Sequence, residues 1–196
     1  MRVVIVFIDI RGSTALAERN LAYDVVFILN EFFAEMAAAL RDTNGHYAQF
    51  NGDGLMALYG MEDDFEAGCR QALRGAAEML RRLDRLNQRF AGELSEPLRI
   101  GIGIHGGDAI VGTMGPPASP ILSAIGDAVN IAARLEAETK VVGRPLVISR
   151  VVAEAAGVDL AGALLAEADI DGREEPVMIV GIADPRAIVL AEPADV

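Results

Sequence analysis

Two aspartates and a later Asn–Arg pair are the residues of this chain whose types and spacing best suit chemistry. Asp9 and Asp53 each lie where an apolar run meets a glycine-containing turn. Asn130 and Arg134 are four residues apart in a segment of helical periodicity, so they share one helix face. Magnesium prefers hard oxygen ligands, and two metals can clamp the attacking and leaving oxygens of an in-line displacement. The set therefore predicts a two-metal phosphoryl-transfer site.

Each of these residues also has an ordinary structural explanation. Asp9 alone is explained as a turn carboxylate, Asp53 as a hairpin residue, and the Asn–Arg pair as part of a solvated helix face. Three arguments favour chemistry. An acid at the end of an apolar strand is costly without a partner. Glycines around both acids, such as Gly12, let backbone approach a phosphate closely. Arginine presents a planar fork of donors that suits phosphate oxygens.

The elements that must position these residues follow a βαββαβ order. Continuous β-branched and aromatic runs predict buried strands, and apolar residues recurring every three or four positions predict helices. Asn-Gly and Asp-Gly at 51–54 predict a hairpin, because these residues tolerate positive φ. The first strand and this hairpin are sheet neighbours, so Asp9 and Asp53 can reach one edge. The predicted core comprises strands at 3–9, 46–50, 55–59 and 98–104 and helices at 13–41 and 63–90.

The rest of the chain extends this core. We predict an α+β fold in which a ferredoxin-like βαββαβ sheet carries its helices on one face and continues into a C-terminal helix and strands. One domain at 1–184 and a C-terminal tail at 185–196 are expected, with residues 191–196 frayed. The further elements are a strand at 109–113, a loop at 114–120, a helix at 127–138, a strand at 145–148, a helix at 150–156 and strands at 163–168 and 176–182.

Composition excludes several classes of protein. The chain has 196 residues, 52% of them hydrophobic, which indicates one folded domain rather than disorder. Its formal net charge of −12 argues against binding to nucleic acid or to an anionic membrane. No apolar run approaches the roughly 18 residues of a membrane-spanning helix, and the first strand lacks a signal-peptide cleavage site. Cys69 is the only cysteine, which excludes a disulfide framework. We expect a cytoplasmic protein.

Four motifs occur in an order that resembles a known family. They are Val-Phe-Ile-Asp-Ile-Arg-Gly-Ser-Thr at 6–14, Phe-Asn-Gly-Asp-Gly-Leu-Met-Ala-Leu-Tyr-Gly at 50–60, Ile-Gly-Ile-Gly-Ile-His-Gly-Gly at 100–107 and Ala-Ile-Gly-Asp-Ala-Val-Asn-Ile-Ala-Ala-Arg-Leu-Glu at 124–136. Together they resemble the class III nucleotidyl cyclase catalytic domain over roughly residues 3–182. Four motifs in register are far more specific than a single Gly-Asp pair.

The resemblance implies a homodimer whose two sites lie at the subunit interface. One subunit would bind two Mg²⁺ or Mn²⁺ ions per site through Asp9, Asp53 and the backbone carbonyl of Ile10. The other subunit would supply Asn130 to orient the ribose and Arg134 to stabilise charge on the α-phosphate. The ribose 3′-oxygen would attack that phosphate and release pyrophosphate.

The resemblance also assigns residues to the rest of the substrate. Arg173 stands in the turn where the family has a lysine for the terminal phosphates, and the turn at Gly12, Ser13 and Thr14 is expected to contact substrate as well. A family arginine of the strand after the long helix is displaced here to Arg99, two residues earlier on the same strand face. No role is predicted for that arginine.

Base recognition is where this chain departs from the family. The residues at the base-reading positions are Gln49 and Ser123, four residues before Asp53 and Asp127. An amide and a hydroxyl each donate and accept hydrogen bonds, so this pair fits adenine or guanine. Serine is chemically closest to the threonine that accompanies adenine in the family, and Gln49 lacks the negative charge usual for guanine. We therefore favour ATP as substrate.

Three other functions remain open at this stage. The chain could be a guanylate or other nucleotide cyclase, or a degenerate cyclase domain that binds nucleotide and regulates without turnover. A palm-type phosphotransferase would also need two acids, but it leaves Asn130 and Arg134 unexplained. A regulatory domain outside this chain is compatible with each of them.

Overall fold

The architecture is a seven-stranded sheet with helices on both faces, described by a computed structural model for residues 1–19, 21–161, 163–170 and 175–190. Its strands are β1 (Arg2–Ile10), β2 (His46–Asn51), β3 (Gly54–Tyr59), β4 (Ile100–Asp108), β5 (Ile110–Met114), β6 (Ile121–Ile125), β7 (Leu146–Ser149), β8 (Leu164–Ala168) and β9 (Val177–Ile182). Its helices are α1 (Ser13–Arg19), α2 (Ala22–Asp42), α3 (Phe65–Arg89), α4 (Asp127–Val142) and α5 (Arg150–Ala156).

The sheet places β1 at its centre. The strand order is β2-β3-β1-β4-β7-β9-β8, and β5 pairs with β6 in a separate two-stranded ribbon. Strand β1 is antiparallel to both β3 and β4, so its carboxyl end meets the β2–β3 hairpin on one side and the start of β4 on the other. That arrangement brings the first strand and the hairpin to one edge, as the sequence predicted.

One face of the sheet carries the main core. Alternate residues of β1, such as Val4, Val6 and Ile8, pack with α2, α3 and α5 on this face. The long helix α3 begins at an Asp64 N-cap, whose side chain accepts a hydrogen bond from Ala67 N at 2.6 Å. It then presents a continuous apolar stripe that is buried from Cys69 to Leu86.

Helix α4 packs on the opposite face together with the β5–β6 ribbon. Ala128 and Ala132 of α4 join Val3 and Ile5 of β1 in a second buried cluster. Glycine makes this close packing possible, since a Cβ on Gly103 of β4 would lie 2.6 Å from the carbonyl oxygen of Ala132.

The predicted α+β class and ferredoxin-like core are confirmed. Helices α2 and α3 share one face as expected, and α4 differs from them by covering the other face. The single helix predicted over 13–41 is two helices, because Leu21 has extended backbone (φ −65°, ψ 144°) and α1 buries no residue that would align it with α2. Strand β6 was not predicted, since its five residues form a strand by pairing with β5.

The described residues that follow β9 contact the main core. Residues 185–190 include a 3₁₀ turn at Pro185–Ala187, and Ile188 and Leu190 pack against the first cluster. Residues 191–196 of the predicted tail lie outside the described residues, so the domain boundary at 184 stays a prediction. Among the helices described, none has both the length and the apolar character that crossing a bilayer requires.

Candidate active site

The end of β1 and the β2–β3 hairpin hold Asp9 and Asp53 side by side. Asp9 pairs with Gly54 in the β1–β3 register, and Asp53 directly precedes Gly54 in the turn. The turn needs glycine at Gly52, where φ is +68°. A Cβ on Gly54 would lie 3.1 Å from Asp9 Oδ1 and 2.5 Å from the carbonyl oxygen of Ile8. Gly54 therefore leaves the space that the Asp9 carboxylate occupies.

The electrostatics of this acid pair fit a divalent cation. Burial, followed by the charge of Asp53 and a side-chain hydrogen bond to it, raises the pKa of the Asp9 carboxyl above its usual range. Two carboxylates this close repel each other when both are ionised, and a bound cation removes that cost. Carboxylate and carbonyl oxygens are the donors that Mg²⁺ and Mn²⁺ prefer. The donor set of Asp9, Asp53 and the Ile10 carbonyl therefore fits the predicted metals.

The acid pair is not a complete protein cage for a metal. Within the described ranges, no group of three or more His, Cys, Asp or Glu side chains is arranged to hold a metal ion. A metal at Asp9 and Asp53 would take its other ligands from backbone, water or substrate phosphate. Magnesium usually binds in this way, through one or two carboxylates plus phosphates.

Three residues beside the acids were not among the predicted site residues. Lys140 Nζ of α4 lies 3.9 Å from Asp9 Oδ2. Arg11 Nη1 lies 3.0 Å from Glu136 Oε1, and both of these side chains are largely buried. Burial raises the pKa of the Glu136 carboxyl, and the Arg11 charge opposes that rise. The sequence could have nominated these residues, because Arg11 lies within the first motif and Glu136 and Lys140 are spaced i, i+4 on α4, but nothing in it signals their contacts with Asp9 or with each other.

Asn130 and Arg134 lie on an exposed face of α4, away from the acids of their own chain. Arg134 Nε contacts Glu138 Oε1 at 3.1 Å, and about half of the Arg134 side chain is exposed. Asn130 precedes Lys140 by ten residues, which is about 15 Å along a helix axis. The structure therefore brings Asp9 and Asp53 together and leaves the Asn–Arg pair outside that cluster.

The two predicted base-reading residues are in contact. Ser123 Oγ of β6 donates a hydrogen bond to Gln49 Oε1 of β2 at 3.3 Å. Ser123 is buried, with 7% of its surface exposed. These residues are 74 positions apart in the chain, so only the packing of the β5–β6 ribbon beside β2 makes them a pair.

The predicted phosphate contacts are only partly described. Gly12 has a φ of +70°, and α1 begins at Ser13, so the Gly12–Thr14 turn directly follows the strand that carries Asp9. The carbonyl oxygen of Gly12 accepts from Leu16 N at 3.0 Å. Arg173 lies outside the described residues, and its predicted contact with the terminal phosphates stays a prediction.

Comparisons with known proteins agree on one family. The family model described as "Adenylate and Guanylate cyclase catalytic domain" matches residues 1–156. An adenylate cyclase of Anabaena cylindrica is 36% identical over 155 residues, which cover 77% of this chain and 30% of that protein. This chain therefore spans less than a third of the length of that relative.

Solved structures of cyclases have the same fold. The guanylyl cyclase Cya2 matches with a TM-score of 0.82 and 29% identity, over 97% of this chain and 98% of that one. The adenylyl cyclase CyaB from P. aeruginosa matches with a TM-score of 0.78 over 100% of this chain and 96% of that one. Its identity of 24% supports the fold alone.

Proposed function

This chain belongs to the adenylate and guanylate cyclase catalytic domain family, and from that premise we propose that it converts ATP to 3′,5′-cyclic AMP and pyrophosphate. One observation carries the proposal. Asp9 and Asp53 form a compact acid pair, whereas Asn130 and Arg134 lie on an exposed face of α4, about 15 Å and about 9 Å along the helix axis from Lys140, which is the helix residue beside Asp9. On this proposal, a single chain holds the two halves of a cyclase site in separate places.

A homodimer joins the two halves. Two copies related by a two-fold axis would place the acid pair of each opposite the Asn–Arg face of the other, giving two equivalent sites. The ribbon that carries Ser123 supports this arrangement, because its Ile110, Ile121 and Ile125 side chains are exposed in one copy. Exposed apolar side chains that cluster in this way mark an interaction surface.

The residues then have separate tasks in the reaction. Asp9, Asp53 and the Ile10 carbonyl would hold two Mg²⁺ or Mn²⁺ ions, which supply charge that activates the ribose 3′-hydroxyl and grips the triphosphate. Asn130 orients the ribose through its amide. The Arg134 fork meets the α-phosphate oxygens, where negative charge grows as the 3′-oxygen attacks and pyrophosphate leaves. Positioning and electrostatics supply most of the rate in this type of reaction.

The contact between Gln49 and Ser123 supports ATP as the substrate. Because the Ser123 hydroxyl donates to Gln49 Oε1, the amide NH₂ group is left to donate to the base. Adenine N1 accepts such a hydrogen bond, whereas guanine N1–H is itself a donor. A site that pairs its buried polar groups with one base rejects the base that leaves them unpaired.

The experiment that tests the proposal is a product assay. Purified protein is incubated with Mn²⁺ and ATP, GTP, CTP or UTP in turn, and the products are identified by mass spectrometry. We expect cyclic AMP to dominate. A different dominant cyclic nucleotide would keep the mechanism and overturn the base assignment. No product from any triphosphate would favour a regulatory domain without turnover.

A matched pair of variants tests the base assignment directly. Gln49→Glu replaces the donating NH₂ with an acceptor, so the ratio of cyclic GMP to cyclic AMP should rise about tenfold or more. Gln88→Glu makes the same change on the exposed surface of α3, and it should leave that ratio unchanged. An unaltered ratio in Gln49→Glu would remove Gln49 from base recognition.

A further inference from the structure

A cavity rich in basic side chains lies beside the acid pair, at the end of the sheet where β1 ends and β4 and β7 begin. Its volume is about 530 Å³, within the range of about 300–1,000 Å³ that is usual for small-molecule sites. Its apolar wall comes from α3, and its other walls come from the start of β4 and the end of α4. The charged residues among its described lining are Arg11, Asp84, Arg99, Lys140, Arg144 and Arg186.

The charge of this lining runs against the composition of the chain. The whole sequence has 29 acidic and 17 basic residues, yet the described lining holds five basic residues and a single acid. Arg186 binds that acid, Asp84, and also contacts Asp184 Oδ1 at 2.7 Å. Neither Arg99 nor Arg144 forms an ion pair with a described acidic residue. The cavity therefore keeps positive charge that the described part of the protein does not neutralise.

The carboxyl end of α4 accounts for only part of this charge. A helix carries about half a negative charge at its C-terminus, and Lys140 and Arg144 lie at that end of α4. One basic residue is enough to balance that half charge. Arg99 comes from the start of β4 instead, and Arg11 comes from the end of β1. Both Nη atoms of Arg11 are buried without a hydrogen-bond partner among the described residues, although Nη1 is ion-paired with Glu136.

Local structure holds the positive groups in place. Gly143 ends α4 in the left-handed conformation, and Arg144 N then donates to the carbonyl oxygen of Thr139 at 3.1 Å. The Arg144 stem packs over Gly181 of β9, where a Cβ would lie 3.1 Å from its Cγ. Lys140 joins the cavity to the acid pair, because it lines the cavity and lies 3.9 Å from Asp9 Oδ2.

We propose that this cavity binds inorganic pyrophosphate, the leaving product of the proposed cyclase reaction, through Arg99, Lys140 and Arg144. The inference rests on the proposed function for the source of the ligand. A diphosphate presents dense negative charge to arginine forks, which bind phosphate oxygens in bidentate pairs. The described lining contains no aromatic side chain on which a base could stack, and this favours pyrophosphate over a second nucleotide.

The test is calorimetric titration of the whole protein with inorganic pyrophosphate in excess EDTA. Without divalent metal, Asp9 and Asp53 repel the anion, so the titration reports the cavity. Arg144→Gln and Arg99→Gln should each weaken binding about tenfold. Arg150→Gln removes the same charge from α5, which follows the opposite end of β7, and it should change the affinity for pyrophosphate less than about twofold. Equal affinities in all four proteins would overturn the proposal.

Further probes identify the source of the phosphates. Metal-free ATP should bind this cavity more weakly than pyrophosphate, and equal, Arg144-dependent binding of both would overturn the pyrophosphate assignment. Pyrophosphate should also inhibit turnover about tenfold less in Arg144→Gln than in the unaltered chain. If the protein makes cyclic nucleotide but Arg144→Gln does not weaken pyrophosphate binding, this inference alone is overturned. A chain that makes no cyclic nucleotide but binds pyrophosphate through Arg144 would overturn the proposed function and leave the anion site standing.

Discussion

The two halves of α4 differ in what they contact. The C-terminal half faces the acids of its own chain, with Lys140 Nζ 3.9 Å from Asp9 Oδ2 and Glu136 paired with Arg11. The N-terminal half exposes Asn130 and Arg134, and the ion pair of Arg134 is with Glu138 of the same helix. One half therefore belongs to a site within the chain, and the other presents its polar groups outward.

In the proposed dimer, this difference would let one helix serve two sites. Its inner stripe of Ala128, Ile131, Ala132 and Leu135 is buried, so this stripe anchors the helix from Ala128 to Leu135. Its polar residues contact different groups according to their position along the helix, and not only according to the helix face on which they lie. In the proposed dimer, the C-terminal half supports the metal side of one site while the N-terminal half supplies the ribose and phosphate contacts of the other.

The largest expected effect comes from the metal half. Asp53→Asn should lower kcat at least about 10³-fold, because a metal ligand is lost. Mn²⁺ should raise the melting temperature of the unaltered protein and should not raise that of Asp53→Asn, since binding to the folded state alone stabilises it. Asp169→Asn on the exposed surface should behave as the unaltered protein. Full activity in Asp53→Asn would refute the two-metal assignment.

The next effect comes from the outward half. Arg134→Ala should lower kcat about 10²-fold and change ATP affinity much less, because its contact forms with the charge of the transition state. Arg150→Ala is the matched control, since Arg150 also pairs through Nε with a glutamate four residues on. Comparable losses of kcat in both variants would exclude a specific role for Arg134.

Mixing these two variants tests whether the halves come from different chains. Equal amounts of Asp53→Asn and Arg134→Ala chains should recover roughly a quarter of the unaltered activity, because half of the dimers are mixed and each has one intact site. Analytical separation of differently tagged chains would establish that mixed dimers form. No recovery in the presence of mixed dimers would contradict a shared site.

A smaller effect is expected at Lys140. Lys140→Gln should lower kcat/KM about two- to fivefold, because its side chain is mostly exposed and its distance to Asp9 is long for an ion pair. Steady-state kinetics with ATP and Mn²⁺ measures it. When Lys140→Gln chains are mixed with Arg134→Ala chains, each mixed dimer should have one fully active site, because both substitutions then fall in its other site. A loss as large as that of Asp53→Asn would assign Lys140 to the reacting groups.

The smallest effect concerns stability. Because the pKa of Asp9 is raised in the folded protein, the folded state binds that proton more tightly than the unfolded state, and stability is lost as pH rises through the folded pKa. Asp9→Asn should therefore raise the metal-free melting temperature at pH 8 by roughly 2–4 °C, about 1 kcal/mol. The gain should vanish near pH 4 in thermal denaturation followed by circular dichroism. A lower melting temperature at pH 8 would contradict the cost of burying the charged Asp9 carboxylate beside Asp53.

The predictable parts of the fold and of the site are those encoded locally. Asp9 ends an apolar strand, Asp53 lies in an Asn-Gly-Asp-Gly turn, and Asn130 and Arg134 have helical spacing, so each position follows from a few neighbouring residues. Strand β6 and the break near Leu21 did not follow in this way. Strand β6 forms by pairing with β5, and the break comes from the extended backbone at Leu21; residue type and periodicity record neither.

Long-range contacts decided the remainder of the site. Arg11 meets Glu136, and Gln49 meets Ser123, across more than seventy positions of sequence. No local pattern predicts either distance. The basic cavity beside the acids is of the same kind, because Arg99, which precedes β4, meets Lys140 and Arg144 at the end of α4 only in the folded protein.

By itself, the sequence determined the family and the groups proposed to do its chemistry: two carboxylates at turns, an Asn and an Arg on one helix face, and motifs whose order identifies the cyclase family. Only the tertiary structure decided which of these groups meet. Backbone preferences act over a few residues, whereas the placement of α4 across β1 and β4 depends on burying its apolar stripe against the glycines of β4. That packing sets Lys140 beside Asp9 and turns Asn130 and Arg134 outward.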